Sequence, residues 1–200
     1  MIPAAHRSTP MFWVPLLLIV SALALRWMKL ESEGMSLLPN FSPWMALAFT
    51  GTLVMSRALP WFVWPMALLL INVIVLGSSS ALDVQSLSIY GIYALAAFVA
   101  SRFRGRLSIA QGLLGVAACS LTFYLLTNTA AWITQPEYAK NFSGWLQANT
   151  SGIPGFAPTW TFLRSSLLSD LGFSALLMIA CKAEARVRET VSMPWFAVAR

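Results

Sequence analysis

Six apolar runs set the terms for this chain. Residues 11–28, 43–56, 58–77, 86–101, 107–128 and 159–181 carry few charges, and short polar or basic gaps separate them. At about 1.5 Å of rise per residue, a helix of about 20 such residues crosses a hydrocarbon core roughly 30 Å thick. A soluble fold has nowhere to bury so many uniformly apolar segments. Only 10% of the 200 residues are charged, against roughly 25% in ordinary soluble domains. The expected architecture is therefore all-α: one integral membrane bundle of six transmembrane helices, a single domain over residues 1–200. The run at 43–56 is the shortest. Ser42 is placed to cap it, and Pro43 suits the first helical position.

The formal charge of +6 does not point to nucleic acid, because the 13 Lys and Arg residues sit in the gaps rather than on one patch. They read as topology signals. With both termini on one side, Arg7, Arg57, Arg102, Arg104, Arg106, Lys182, Arg186, Arg188 and Arg200 share that side, and only Arg26, Lys29 and Lys140 lie opposite. The positive-inside rule then puts the termini in the cytoplasm. A five-helix layout, in which 43–56 re-enters and the N-terminus lies outside, sorts the basic residues equally well. Both layouts turn the loops 78–85 and 129–158 outward and the Arg102–Arg106 turn inward.

The inventory of reactive side chains closes several functional classes. The one histidine, His6, precedes the first run, so no histidine cluster can hold haem or metal inside the bilayer. No run carries a histidine or lysine base beside a serine, as an intramembrane serine protease needs. Cys119 and Cys181 form no CxxC pair and read as small packing residues. No GxxxxGK[ST] motif is present, so any ATP must be hydrolysed by another chain. A lone intramembrane carboxylate is too little for acid–base or two-metal catalysis, and the expectation is a non-enzyme with neither metal nor cofactor.

The outward segments hold the candidate site. Asn40-Phe41-Ser42-Pro43-Trp44 recurs as Asn141-Phe142-Ser143-Gly144-Trp145. If both are helix starts on one face, they present amide, hydroxyl and indole groups to a common cavity. The long loop 129–158 adds Tyr138, and Trp160 follows it. Aromatics beside amides suit an amphiphilic ligand, and equally an interfacial belt.

The sixth run carries the only ionisable residues inside a span, Arg164 and Asp170. Such charges cost at least about 2.5–3.5 kcal/mol each and so have a paired or functional role. Ser166, Asp170 and Ser174 recur every four residues as one polar stripe, flanked by Ser165 and Ser169. They can bind substrate, or they can bond to neighbouring helices, with Asn72 in the third run as a partner. Gly112, Gly115 and Cys119 share one face of the fifth helix, and Ala96 and Ala100 one face of the fourth. Both faces permit close helix approach.

The size, the layout and two segments carry a resemblance. Leu38–Trp44 and Tyr138–Phe173, the latter with Asn-Phe-Ser-Gly at 141–144 and Leu-Leu-Ser-Asp-Leu-Gly-Phe at 167–173, resemble the substrate-binding S-components of energy-coupling factor vitamin transporters. The solitary vitamin B12 members are nearest. The resemblance implies a bacterial inner-membrane bundle that binds a vitamin near its outer face and transports it, cobalamin or a related corrinoid first. This chain departs from the pattern twice. The Ala-x-x-x-Ala of the first helix, which engages the shared energy-coupling partner, is missing, which favours a solitary protein. Where the B12 members offer a cysteine to cobalt, this chain offers Ser78, Ser79 and Ser80, and serine is a poor soft-metal ligand.

The expected binding residues are thus Asn40, Phe41, Ser42, Ser80, Tyr138, Asn141, Phe142, Trp145, Trp160, Arg164 and Asp170. The expected partners are a vitamin-like small molecule and the lipid bilayer. The competing expectation is a membrane scaffold or assembly protein that uses the Arg102–Arg106 turn and the basic tail.

Overall fold

The computed structural model describes residues 17–24, 41–54 and 60–187. Asn40, Arg57 and the ends of the first two apolar runs lie outside these residues. Every regular element among the described residues is helical. Residues 17–24 form α1 and residues 44–54 form α2; α3 (Val63–Leu76), α4 (Ser78–Ala81), α5 (Val84–Arg102), α6 (Ile109–Thr134), α7 (Phe142–Ala148) and α8 (Thr159–Val187) follow. A helix therefore stands in each of the six apolar runs. Three stretches are long and apolar enough to cross a membrane: α5, α6, and Thr159–Ala183 of α8. α3 is a shorter apolar helix.

Local chemistry starts and stops most of these helices. Asp83 caps α5 by accepting from the Ser86 amide at 2.6 Å. Ser108 and Gln111 form a reciprocal capping box at the start of α6. α3 ends at Gly77, whose φ of +80° is a conformation that glycine adopts without a steric penalty. α6 runs on to Thr134, six residues beyond the apolar run, because the amides there still find helical partners outside the apolar stretch. The loop expected over 129–158 is correspondingly shorter, and it contains α7.

The polarity of the bundle is inverted relative to a soluble protein. Its outer faces expose Met66, Leu70 and Ile74 on α3, Leu95 on α5, Leu114 and Leu121 on α6, and Leu176 and Ile179 on α8. Its interior holds Thr50, Asn72, Ser120, Ser169, Asp170 and Ser174, all nearly inaccessible. Water would penalise both choices, whereas lipid favours the first and forces polar groups to seek one another inside. The apolar helices are those of a membrane protein.

α2 lies at the centre of the packing. Every residue from Trp44 to Val54 is buried, and α2 packs against α3, α5, α6 and α8. Met45, Phe49, Leu53 and Val54 meet Ala96, Ala100, Val116 and Leu177 on one flank; Trp44, Leu47 and Ala48 meet Ile19, Leu68, Tyr90 and Ala97 on the other. The small faces expected of α5 and α6 serve this contact. A Cβ on Gly115 would lie 2.6 Å from the Phe49 ring, and one on Gly112 would lie 2.2 Å from the end of Met178. Inside α2, Ala46–Gly51 is π-helical, a geometry that is rare outside functional sites.

Both ends of α2 are held by charged side chains from other helices. At its start, Asp170 of α8 accepts from the Ala46 amide at 3.2 Å. At its far end, Arg104, buried in the α5–α6 turn, donates through Nε to the Thr52 carbonyl at 2.7 Å. An anion at the N-terminus and a cation at the C-terminus each complement the helix dipole and satisfy peptide groups that a helix end leaves open.

Candidate functional site

A cavity of about 340 Å³ opens beside the start of α2. The segment before α2 contributes Ser42, and α2 itself contributes Trp44 and Met45. α3 gives Leu68; α5 gives Gln85, Ile89 and Tyr93. α6 supplies Ser120, Phe123 and Thr127, and α8 supplies Ser166 and Asp170. Exposed Gln85 marks its mouth, at the end of the bundle that carries the α3–α5 turn and the α7 loop.

Asp170 is the floor of this cavity and is 3% exposed. Besides the Ala46 amide, it accepts from the Ser120 hydroxyl at 2.7 Å. The next turn of the polar stripe repeats the theme, with Thr50 donating to Ser174 at 2.8 Å. The stripe therefore bonds helix to helix, one of the two roles open to it from sequence. Its partners differ from the expected one: Asp170 reaches α2 and α6, while Asn72 donates to the Tyr90 hydroxyl at 2.8 Å. Distance along the helix decides this, because α3 presents Asn72 to α5 rather than to α8.

Ser42 does not cap α2. Asp170 binds the Ala46 amide instead, and the Ser42 hydroxyl is buried with no hydrogen-bond partner. The indole N–H of Trp44, a residue only 1% exposed, is likewise unpartnered. The two residues that carry these unpartnered groups both line the cavity together with a carboxylate. Tyr93 and Phe123 form an aromatic wall there, their rings 5.1 Å apart and inclined by 30°.

The remaining expected site residues stand elsewhere. The two Asn-Phe-Ser segments do not converge on a common cavity: Ser42 and Trp44 line the one just described, whereas Asn141, Phe142 and Trp145 line a shallow surface hollow with Trp132 and Lys140. Asn141 caps α7 by accepting from the Gly144 amide at 2.9 Å. Phe142 is 74% exposed and stacks on Trp145, whose indole donates to Thr129 at 2.9 Å. Tyr138 is buried in the loop, Trp160 is half exposed at the start of α8, and Phe41 is half-buried just before Ser42. Ser80 is exposed in α4, and its carbonyl accepts from the Ser86 hydroxyl at 3.0 Å.

Arg164 is exposed. It precedes Ser166 by two residues, about 200° round the helix, so it turns away from the cavity that Ser166 lines. The helical period alone separates the two, and that period was available in the sequence. By contrast, nothing in the sequence links Tyr93, Phe123, Ser120 and Gln85, which meet only because α2 brings α5, α6 and α8 together. Among the described residues, no three of His, Cys, Asp and Glu cluster.

Residues 6–191 match the model of a family described as a family of unknown function, DUF6580. No curated protein and no solved structure matches the chain.

Proposed function

We propose a function from the chain's own geometry, because the family to which the chain belongs, DUF6580, is one of unknown function. The protein is a substrate-binding transporter for vitamin uptake: a six-helix bundle of the bacterial inner membrane, termini cytoplasmic, acting as a binder rather than an enzyme. The single observation that carries this reading is a cavity lined by the buried carboxylate of Asp170 and by the Tyr93 and Phe123 rings, together with Ser42 and Trp44, two residues that carry unpartnered polar groups. Buried polar groups are almost always satisfied. A small molecule with a few directed hydrogen bonds and a flat body supplies what these two and the Tyr93–Phe123 wall lack.

A volume of about 340 Å³ lies at the small end of ligand sites, which run from about 300 to 1,000 Å³. It ranks a compact heteroaromatic vitamin ahead of the much larger corrinoid that the S-component resemblance puts first. The missing Ala-x-x-x-Ala supports solitary action.

The test is thermal unfolding of detergent-purified protein against a vitamin panel that includes cobalamin, followed by titration of any stabilising compound. At least one vitamin raises the unfolding temperature, and Trp44→Phe weakens its binding about tenfold, about 1.4 kcal/mol. Co-elution of coloured corrinoid on gel filtration would restore cobalamin as the ligand. No stabilisation by any compound overturns the transporter reading.

A second reading, the membrane scaffold, is supported by exposed Arg102 and Arg106 on either side of buried Arg104. It predicts recovery of a stoichiometric protein partner that Arg102→Glu with Arg106→Glu abolishes.

A further inference from the structure

We infer that the cavity selects a flat organic cation, a nitrogen heterocycle carrying a positive charge, over neutral and anionic molecules of the same shape. The inference rests on the binding role proposed above and names the ligand class of that same cavity.

Charge is the first ground. Asp170 is the one acidic residue lining the cavity, and no Lys, Arg or His lines it. The nearest basic residue along α8, Arg164, is exposed on another face of the helix, and Arg104 is occupied at the opposite end of α2. An anionic ligand would bring a second negative charge beside Asp170 in a water-poor site with no counter-charge, which is strongly unfavourable. A cation meets a partner instead.

Unused bonding capacity is the second ground. A carboxylate offers about four acceptor sites. Two are taken, by the Ala46 amide and the Ser120 hydroxyl. Both contacts donate to it, which is the pattern of a group acting as an acceptor. Acceptor capacity is left for a donor on a ligand. The Trp44 N–H has the opposite need, since an indole only donates. The complementary ligand therefore carries a donor and an acceptor on one flat frame, with the Ser42 hydroxyl able to serve either.

The walls are the third ground. Trp44, Tyr93 and Phe123 are all lining residues. Aromatic faces attract cations by about 0.5–2 kcal/mol, more strongly where water is excluded, and they stack on planar rings. An aliphatic cation would use the charge and waste the walls. A neutral ring would use the walls and waste the charge.

The experiment uses the full-length wild-type protein in detergent and one ring in three charge states. Nicotinate is the anion, nicotinamide the neutral form, and nicotinamide methylated on its ring nitrogen the cation; thiamine serves as a second, larger flat cation. Affinities come from calorimetric titration and from the shift in unfolding temperature. The expected result is binding of at least one of the two cations about tenfold or more tighter than nicotinamide, with nicotinate the weakest of the four. Nicotinate or nicotinamide binding as tightly as the cations overturns the inference, and so does silence from both cations.

Asp170→Asn is the companion variant: it reduces cation affinity about tenfold or more, a larger fold loss than nicotinamide shows. An equal loss for both ligands overturns the inference. Because Asp170 also holds α2, this variant can fail to fold, and the wild-type charge series then decides alone. The two proposals fail separately. A neutral or anionic vitamin that binds while both cations are silent removes the charge preference and leaves the transporter. No binding by any compound removes both.

Discussion

The chain writes nearly the same five residues twice and puts them to opposite uses. Asn40-Phe41-Ser42-Pro43-Trp44 leads into α2, and Asn141-Phe142-Ser143-Gly144-Trp145 starts α7. α7 is capped from within: Asn141 is three residues from the amide it binds. α2 is capped from outside, by Asp170, 124 residues from the Ala46 amide. One tryptophan, Trp145, is half-buried with its N–H donated to Thr129; the other, Trp44, is sealed in with its N–H unpartnered. A local motif therefore specifies that a helix starts, while tertiary packing decides who satisfies it. The outward copy is self-sufficient and structural. The inward copy depends on another helix, and the Ser42 hydroxyl and Trp44 N–H are left without a hydrogen-bond partner.

The largest test of this contrast removes each cap. Asp170→Ala strands the Ala46 amide and the Ser120 hydroxyl at the packing centre. At about 1–3 kcal/mol for each unsatisfied buried group, moderated by new partners found in the membrane, the expected loss is about 2–4 kcal/mol. Asn141→Ala removes one exposed helix cap, worth about 1 kcal/mol, and confines the damage to α7. Reversible unfolding in mixed micelles measures the first, and protease sensitivity of the α7 loop the second. Equal losses would mean that α2 does not depend on its distant cap.

How much of this was legible in the sequence follows the same division. The six helical segments, the close faces at Gly112, Gly115, Ala96 and Ala100, and the polar stripe from Ser166 to Ser174 came from hydropathy and the helical period, which are local properties. Ser42 and Asp170 were both expected in the site, and both line the cavity. The expectation that the two Asn-Phe-Ser segments share a cavity failed, because similarity along the chain carries no information about proximity. Tyr93, Phe123 and Gln85 were missed for a related reason: each is an ordinary residue of its own helix and meets the others only through α2. The π-helical stretch of α2 has no sequence signal at all, since Ala-Leu-Ala-Phe-Thr-Gly would suit an α-helix.

The fourth position of the two segments sharpens the comparison at a smaller scale. A Cβ on Gly144 would sit 1.9 Å from the Ala139 carbonyl oxygen, a backbone atom that cannot step aside as a side chain can. Gly144→Ala is therefore expected to open the 139–144 turn at a cost of about 1–3 kcal/mol. Its signature is faster amide exchange across α7 with the unfolding of the bundle nearly unchanged. Pro43→Ala, at the buried copy, requires no such opening: it trims a fully buried ring and keeps the carbonyl that accepts from the Leu47 amide at 3.2 Å. Its expected cost is about 1–2 kcal/mol, from lost apolar burial and greater freedom of the unfolded chain. A larger effect at Pro43 than at Gly144 would show that the approach to α2 is the more tightly fitted of the two.

The smallest effect on stability is the most informative about function. Replacing each tryptophan by phenylalanine deletes one N–H and keeps most of the apolar bulk. At Trp145 the change breaks the bond to Thr129, and about 1 kcal/mol of local stability is lost. At Trp44 no bond is lost, because the indole has none to lose; relief of an unsatisfied buried donor offsets much of the void that the smaller ring leaves, and the net change stays under about 1 kcal/mol. Ligand affinity is expected to move in the opposite sense, falling in Trp44→Phe and holding constant in Trp145→Phe, as read by titration with whichever vitamin stabilises the wild-type protein. If Trp44→Phe instead lowers stability as much as Trp145→Phe does, the Trp44 indole is a packing element and the inward segment has no more claim to a ligand than the outward one.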